Sequence, residues 1–303
     1  MHVDPNAVAS RPPVRNANPH ADNGPVVRRD PWLILVALAG VAGMFGIVSN
    51  TARAQEQPPA GASNLSKKTQ NPVSDLTSIP FQFNFYSGGG LQKQTQLVLN
   101  VQPVVPIKTV TGFNLVARTV IPFVSIPADS GRRVSGIGDI QEQLYITPSK
   151  PGHVIWGVGP VLSFPTATNS LLTTGDFAAG PGLVVLMMPG AWVVGGLVNQ
   201  LWTYAGPAGS SEVNAFTLQP FINYNFGQGW AISSSPLITA NFSAPAHQWT
   251  VPWGLGIQKV TAIGTRPVLL ALQYYNNVIA PSNAGRNQAR MQVNLLYPAA
   301  EKR

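Results

Sequence analysis

The sequence predicts an all-β fold, an antiparallel transmembrane β-barrel of about twelve strands behind an N-terminal signal peptide, and three observations carry this. Charged residues are only 10% of the 303, while Gly (29) and Pro (28) are plentiful; an average soluble domain carries about 25% charged residues. Past residue 50 no apolar run is free of polar interruption for the ~20 residues a membrane helix needs, and mean hydropathy is only +0.10. What remains is alternation. In "RMQVNLLYP" (290–298), Met291, Val293, Leu295 and Tyr297 share one face, and Gln292, Asn294 and Leu296 the other, because successive strand side chains point to opposite sides.

At the N-terminus, Arg28 and Arg29 precede 17 apolar-rich residues, 32–48, followed by Ala52-Arg53-Ala54. A positive flank, an apolar stretch and a small-x-small site make residues 1–54 a signal peptide with a long n-region, cleaved after Ala54. The alternative is an uncleaved anchor. Residues 55–75 are polar and Pro-rich and read as a flexible periplasmic lead-in. The barrel then occupies 76–298, and 299–303 are a tail.

Twelve segments of about ten residues follow, near 79–87, 94–104, 113–123, 138–148, 154–164, 177–188, 191–203, 213–225, 229–242, 248–260, 266–278 and 287–297. Transmembrane strands need about 9–11 residues, and bacterial barrels carry an even number, with short periplasmic turns and longer outer loops. The links obey that parity: 149–152, 189–190, 227–229 and 261–265 are short, whereas 125–136, 165–175 and 205–212 are long. The two longest loops are candidates to fold inward as a constriction.

Aromatic spacing supplies the membrane dimension. Phe113 and Phe123, Trp192 and Trp202, and Phe216 and Phe226 are each ten residues apart. That is ~34 Å of strand, or roughly 24 Å of height at a ~45° tilt, close to the ~25 Å apolar band between aromatic girdles. With Tyr297 these are the girdle candidates. The opposite faces supply candidates for the lumen lining: Asn100, Gln102, Arg118, Asp139, Gln141, Gln219, Asn223, Gln273, Gln292 and Asn294. Arg118 and Asp139 suggest a lumen ion pair or a solute contact. Two features break the pattern: "GLVVLMM" (182–188) is apolar on both faces, and Glu142 is out of phase with Asp139 and Gln141, which points to a bulge near 140. A soluble barrel with its apolar face inward is the alternative that periodicity leaves open.

Local motifs add a resemblance. "SDLTSIPFQFNF" (74–85), "LNVQPVVPI" (99–107), "NLVARTVIP" (114–122), "GIGDI" (136–140), "WGVGPVLSFPTAT" (156–168), "LQPFINY" (218–224) and "WTVPWGLG" (249–256) resemble the outer-membrane channel family described as phenol-degradation MetA-pathway proteins, also called "transporter" or "neuromedin U". The resemblance covers about residues 72–298. It implies an outer-membrane barrel passing small hydrophobic or aromatic compounds, and it brings no catalytic residues.

Composition removes other classes. The formal charge of +8 falls to +6 without residues 1–54, which hold five Lys+Arg and three Asp+Glu. This excess is scattered rather than interleaved with aromatics, so no nucleic-acid partner is expected. The absence of cysteine removes disulfides, Cys-based zinc sites and thiol nucleophiles together. Beyond residue 54 the histidines are His153, in a short turn, and His247, in an outer loop, so they sit at opposite ends. His247 near Ser243 lacks the carboxylate that would orient it as a base. No metal, cofactor or enzymatic activity is expected. Strand glycines such as Gly157, Gly159, Gly180 and Gly182 mark close backbone approach rather than a phosphate loop. The reading is therefore a Gram-negative outer-membrane channel or transporter whose partners are the bilayer, the assembly machinery and a small uncharged or hydrophobic solute. A structural or surface-interaction barrel with a closed lumen is the alternative.

Overall fold

The computed structural model describes residues 61–89, 94–128, 132–207, 212–281 and 284–297. The predicted signal peptide, residues 55–60 of the lead-in and the tail lie outside these residues. A short helix, α1 (Ala62–Thr69), precedes fifteen strands: β1 (Thr77–Gly89), β2 (Gln94–Val101), β3 (Val104–Lys108), β4 (Phe113–Pro127), β5 (Arg133–Ile137), β6 (Ile140–Pro148), β7 (Val154–Phe164), β8 (Phe177–Met187), β9 (Trp192–Ala205), β10 (Asn214–Gly227), β11 (Trp230–Ser234), β12 (Ile238–Asn241), β13 (Trp249–Ile263), β14 (Arg266–Ile279) and β15 (Asn287–Tyr297). No described helix is long and apolar enough to cross a membrane.

All pairings are antiparallel between chain neighbours, and β1 closes the ring on β15 from Thr77↔Tyr297 to Ser87↔Asn287. Three crossings are interrupted, β2 with β3, β5 with β6 and β11 with β12, so fifteen strands make a closed barrel of twelve. Pro103 and Pro236 mark two of the interruptions, because proline offers no N–H to a ladder. The third is the expected bulge. From Phe123↔Ile137 to Val120↔Gln141, the β5–β6 side spends four residues against three on β4. The phase therefore flips at Gly138-Asp139.

One end of the barrel carries the described termini and the tight turns. At one of these turns Gln228 and Gly229 both have positive φ, 50° and 79°, as a two-residue hairpin of the primed type requires. The other end carries the longer connections. Of these, 165–176 folds inward through a 3-10 turn, Ser170–Leu172. Leu172 is fully buried against Val98, Val124 and Ile126.

The burial pattern is inside-out. Phe83, Leu97, Ile146, Trp156, Val158, Leu183, Val185, Ile222, Ile232 and Leu255 are exposed on the outer face, while Gln96, Asn100, Gln143, Asn199, Gln258 and Asn294 are buried on the inner one. A soluble barrel needs the reverse, since burying apolar area is what stabilises it. Outer-face aromatics form two tiers. At the terminus end, Phe113 meets Trp156 (centroids 6.4 Å apart), Trp192 meets Tyr224 (4.7 Å), and Phe226 stacks on Trp230. At the loop end, Phe177 touches Phe164 and Tyr204, and Phe216, Phe242 and Trp249 form a triad. Phe123 and Trp202 face outward at the loop end as well, and Tyr297 lies under the Arg266 guanidinium, 5.0 Å from its ring centroid, at the terminus end.

Candidate functional site: the barrel interior

Residues 61–75, expected as part of a flexible lead-in, are instead packed into the barrel together with Leu76. Helix α1 has Lys67 and Lys68 in its last turn, where cations favour the helix dipole, and it is followed by Asn71-Pro72, a pair that disfavours helix. Eight residues are too few for a self-supporting helix, so its contacts hold it. Ser66, buried on α1, donates to Asn225 Oδ1 at 2.8 Å. Gln70 and Asn225 exchange amide hydrogen bonds of 2.9 and 3.1 Å, and the Lys67 ammonium donates to the Gly190 carbonyl in the β8–β9 turn. Val73 enters an apolar inner wall of Val116, Tyr145, Ile155, Val184, Leu186, Val193, Leu197 and Phe221. Leu76, with Leu65, packs on Val260, Leu269, Ala271 and Leu296 across the barrel. The segment thus bridges two walls at the terminus end. It also explains "GLVVLMM": Leu183 and Val185 are exposed outward, and Val184 and Leu186 turn inward to seat Val73.

Beneath this segment lies a cavity of about 160 Å³. Of the lining candidates, the structure places Gln102, Arg118, Gln219, Asn223, Gln273, Gln292 and Asn294 on its wall, with Asn71 and Ser74 of the N-terminal segment. Arg118 donates to Gln102 Oε1 (2.5 Å) and Gln143 Oε1 (3.3 Å). Gln258 Nε2 and Asn294 Oδ1 are buried in this wall with no protein partner. Asn100 and Gln141 face inward and are buried away from the cavity; Gln141 accepts from Gln143 at 2.6 Å.

The suggested pairing of Arg118 with Asp139 does not form. Asp139 is fully buried within the bulge, where its carboxylate accepts from Thr173 Oγ1 (2.8 Å) and from the backbone N–H groups of Ala167 and Thr174 (both 3.3 Å). It anchors the inward loop. A second arginine was missed: Arg290, 2% exposed on the inner face, donates to Asn84 Oδ1, the Ser235 carbonyl and Gln273 Oε1 (3.1, 3.0 and 3.4 Å) and lies 5.0 Å from the Tyr275 ring centroid. Its even number, shared with Gln292 and Asn294 on the same strand, was the available signal. His153 and His247 lie in connections at opposite ends of the barrel, so no described site joins them.

No family model and no curated protein sequence matches the chain. Solved structures do match in fold. An outer-membrane channel from Pseudomonas putida F1 is similar over 73% of this chain and 94% of its own, with 14% identity and a TM-score of 0.54. The CymD monoaromatic hydrocarbon channel aligns over 82% of this chain and 94% of its own (9% identity, TM-score 0.46). The outer membrane phospholipase A of Escherichia coli aligns over 78% and 98% (12%, 0.41). At such identities the likeness is one of fold alone. The fold is that of an outer-membrane β-barrel.

Proposed function

We propose that this protein is an outer-membrane channel of a Gram-negative cell, passing small solutes with a hydrophobic or aromatic body through a narrow lumen. The observation that carries the reading is the inside-out barrel with a polar cavity within it. Twelve strands fall between the eight that side chains alone fill and the sixteen or more that leave a wide aqueous pore, so the inner side chains and the N-terminal segment set the bore. The short turns and both ends of the barrel chain then face the periplasm, as in bacterial barrels of known orientation. Export by residues 1–54 with cleavage after Ala54, and delivery to the assembly machinery by the alternating β15 ending in Tyr297, complete the proposal. The reading assigns no catalytic residue, in keeping with two histidines at opposite ends of the barrel.

The seated N-terminal segment favours a second reading, a structural barrel with a closed lumen. Single-channel recording of the purified protein in a planar lipid bilayer separates the two. The channel gives discrete, reproducible conductance steps. A silent bilayer, from protein whose heat-modifiable gel migration proves it folded, selects the closed structural barrel.

A further inference from the structure

We infer that the interior cavity is a binding site for the carboxylate of a small amphipathic acid, anchored by Arg118; as a choice of solute, the inference rests on the channel reading above. A guanidinium has five N–H donors, and Arg118 commits two of its nitrogens, to Gln102 and Gln143. Both partners are neutral amides. Among the described residues the one ion pair is Lys68–Asp75, on the N-terminal segment. The inward acids are engaged elsewhere: Asp139 holds the 165–176 loop, and Asp176 accepts from Thr203 Oγ1 at 2.9 Å. A cation inside a barrel with no carboxylate against it is costly unless an anion arrives to share the site.

Three further features point the same way. Arg290 stands directly behind the cavity wall, bound to Ser235 and Gln273, which line it, and it too meets only neutral oxygens. Two positive charges with no lining acid bias the interior toward anions, as basic residues do in anion-selective pores. Gln258 Nε2, buried in the wall, is a donor without a protein acceptor, free to serve a polar group of the solute. Interleaved with the amides, the same cavity presents Phe221, Leu197, Val104 and Leu269, apolar surface for the ring or chain of a small acid. About 160 Å³ admits a compact solute and not a sugar chain. The expected hydrophobic or aromatic body is retained, while the expectation of an uncharged solute gives way to one acidic group.

Benzoate and its neutral analogue benzamide are the probes. In calorimetric titration of the detergent-solubilised protein, benzoate binds, benzamide does not, and Arg118→Gln weakens benzoate by about tenfold or more, the loss expected for a charge-assisted hydrogen bond. Arg118→Lys keeps the charge without the fork and retains intermediate affinity, which separates a binding role from damage to the fold. In the bilayer, wild-type reversal potentials favour anions, benzoate produces brief blockades, and Arg118→Gln removes both. A conducting protein that binds the two probes alike, or neither, overturns the carboxylate site and leaves the channel intact. A silent protein that still binds benzoate through Arg118 overturns the channel and leaves the site.

Discussion

Each end of the barrel holds a segment packed inward, and the two are fixed by different means. At the terminus end, the described segment 61–76 joins the sheet at β1 and is held by apolar seats for Val73 and Leu76 and by neutral hydrogen bonds from Ser66 and Gln70 to Asn225. At the loop end, a connection tethered on both sides is pinned by one carboxylate, Asp139, with Leu172 filling the space below. The segment is seated over a broad surface, since ordering each residue costs entropy; a loop between two fixed strands has already lost much of that freedom and can be set by a single residue. The largest expected effect follows from this. Val73→Asp places an unpaired charge among fully buried aliphatic side chains, a cost of several kcal/mol, and unseats the segment while the barrel ladder stays intact. Single-channel conductance should rise several-fold over wild type. Unchanged conductance would show that the segment does not limit the bore.

Asp139→Ala tests the other inward segment. It removes an acceptor of three hydrogen bonds, worth about 1.5–3 kcal/mol each when charged, though part is recovered from water once the loop is released. The expected signature is frequent flicker between conductance levels with little change in the maximum level, because the N-terminal segment still sets the bore. A variant whose maximum rises as much as that of Val73→Asp would place the constriction at the loop end and reverse the comparison.

The two inward segments were unequally legible. Length and parity marked 125–136 and 165–175 alike as outer connections able to fold inward; 165–176 does so, whereas the first extends β4 and β5 as a hairpin out to Pro127↔Arg133. The N-terminal segment was not legible, because "QEQPPAGASNLSKKTQNPVSD" has the composition of a linker and its partners, Asn225, Val184 and Leu269, lie over a hundred residues away. Its trace was the anomaly in β8, where Val184 and Leu186 broke the alternation to make the seat. The antiparallel order followed from twelve segments and the parity of their links, and the inward face of most amides from period two. Alternation placed Arg118 inward, and the same alternation applies to Arg290, which shares its face of β15 with Gln292 and Asn294. Asp139 was rightly placed inward and wrongly paired, since alternation gives a face and never a partner.

A glycine substitution probes the wall that seats Val73. In β7, a Cβ at Gly159 would lie 1.9 Å from the Leu144 carbonyl oxygen, so the neighbouring strand backbone must move. Gly159→Ala should cost about 1–3 kcal/mol, measured by urea unfolding in lipid vesicles, and should loosen the N-terminal segment along with the wall. Gly152, with open space around it, is the control, and Gly152→Ala should be near neutral. Equal effects at the two positions would mean that strand spacing in β6–β7 has more give than this contact implies.

The smallest effect concerns the outer face. The bulge at Gly138-Asp139 exists, and Glu142 still points outward, about midway between the levels of Phe113 and Phe123, with Thr119 Oγ1 donating to its carboxylate at 2.6 Å. A polar group on the inner wall meets amides and water, whereas one on this face meets lipid, where acidic residues destabilise barrels by less than the ~2–4 kcal/mol of a basic residue at the midplane. Glu142→Leu should therefore stabilise the folded barrel, by about 1 kcal/mol, because it removes that cost and loses only one partly buried hydrogen bond. A double substitution with Thr119→Val should add little, since the hydroxyl has no other partner to lose. If Glu142→Leu instead destabilises the protein in vesicles, the carboxylate is not facing bare lipid in the membrane, and the strip of β4 and β6 around it is covered by a partner that supplies a donor.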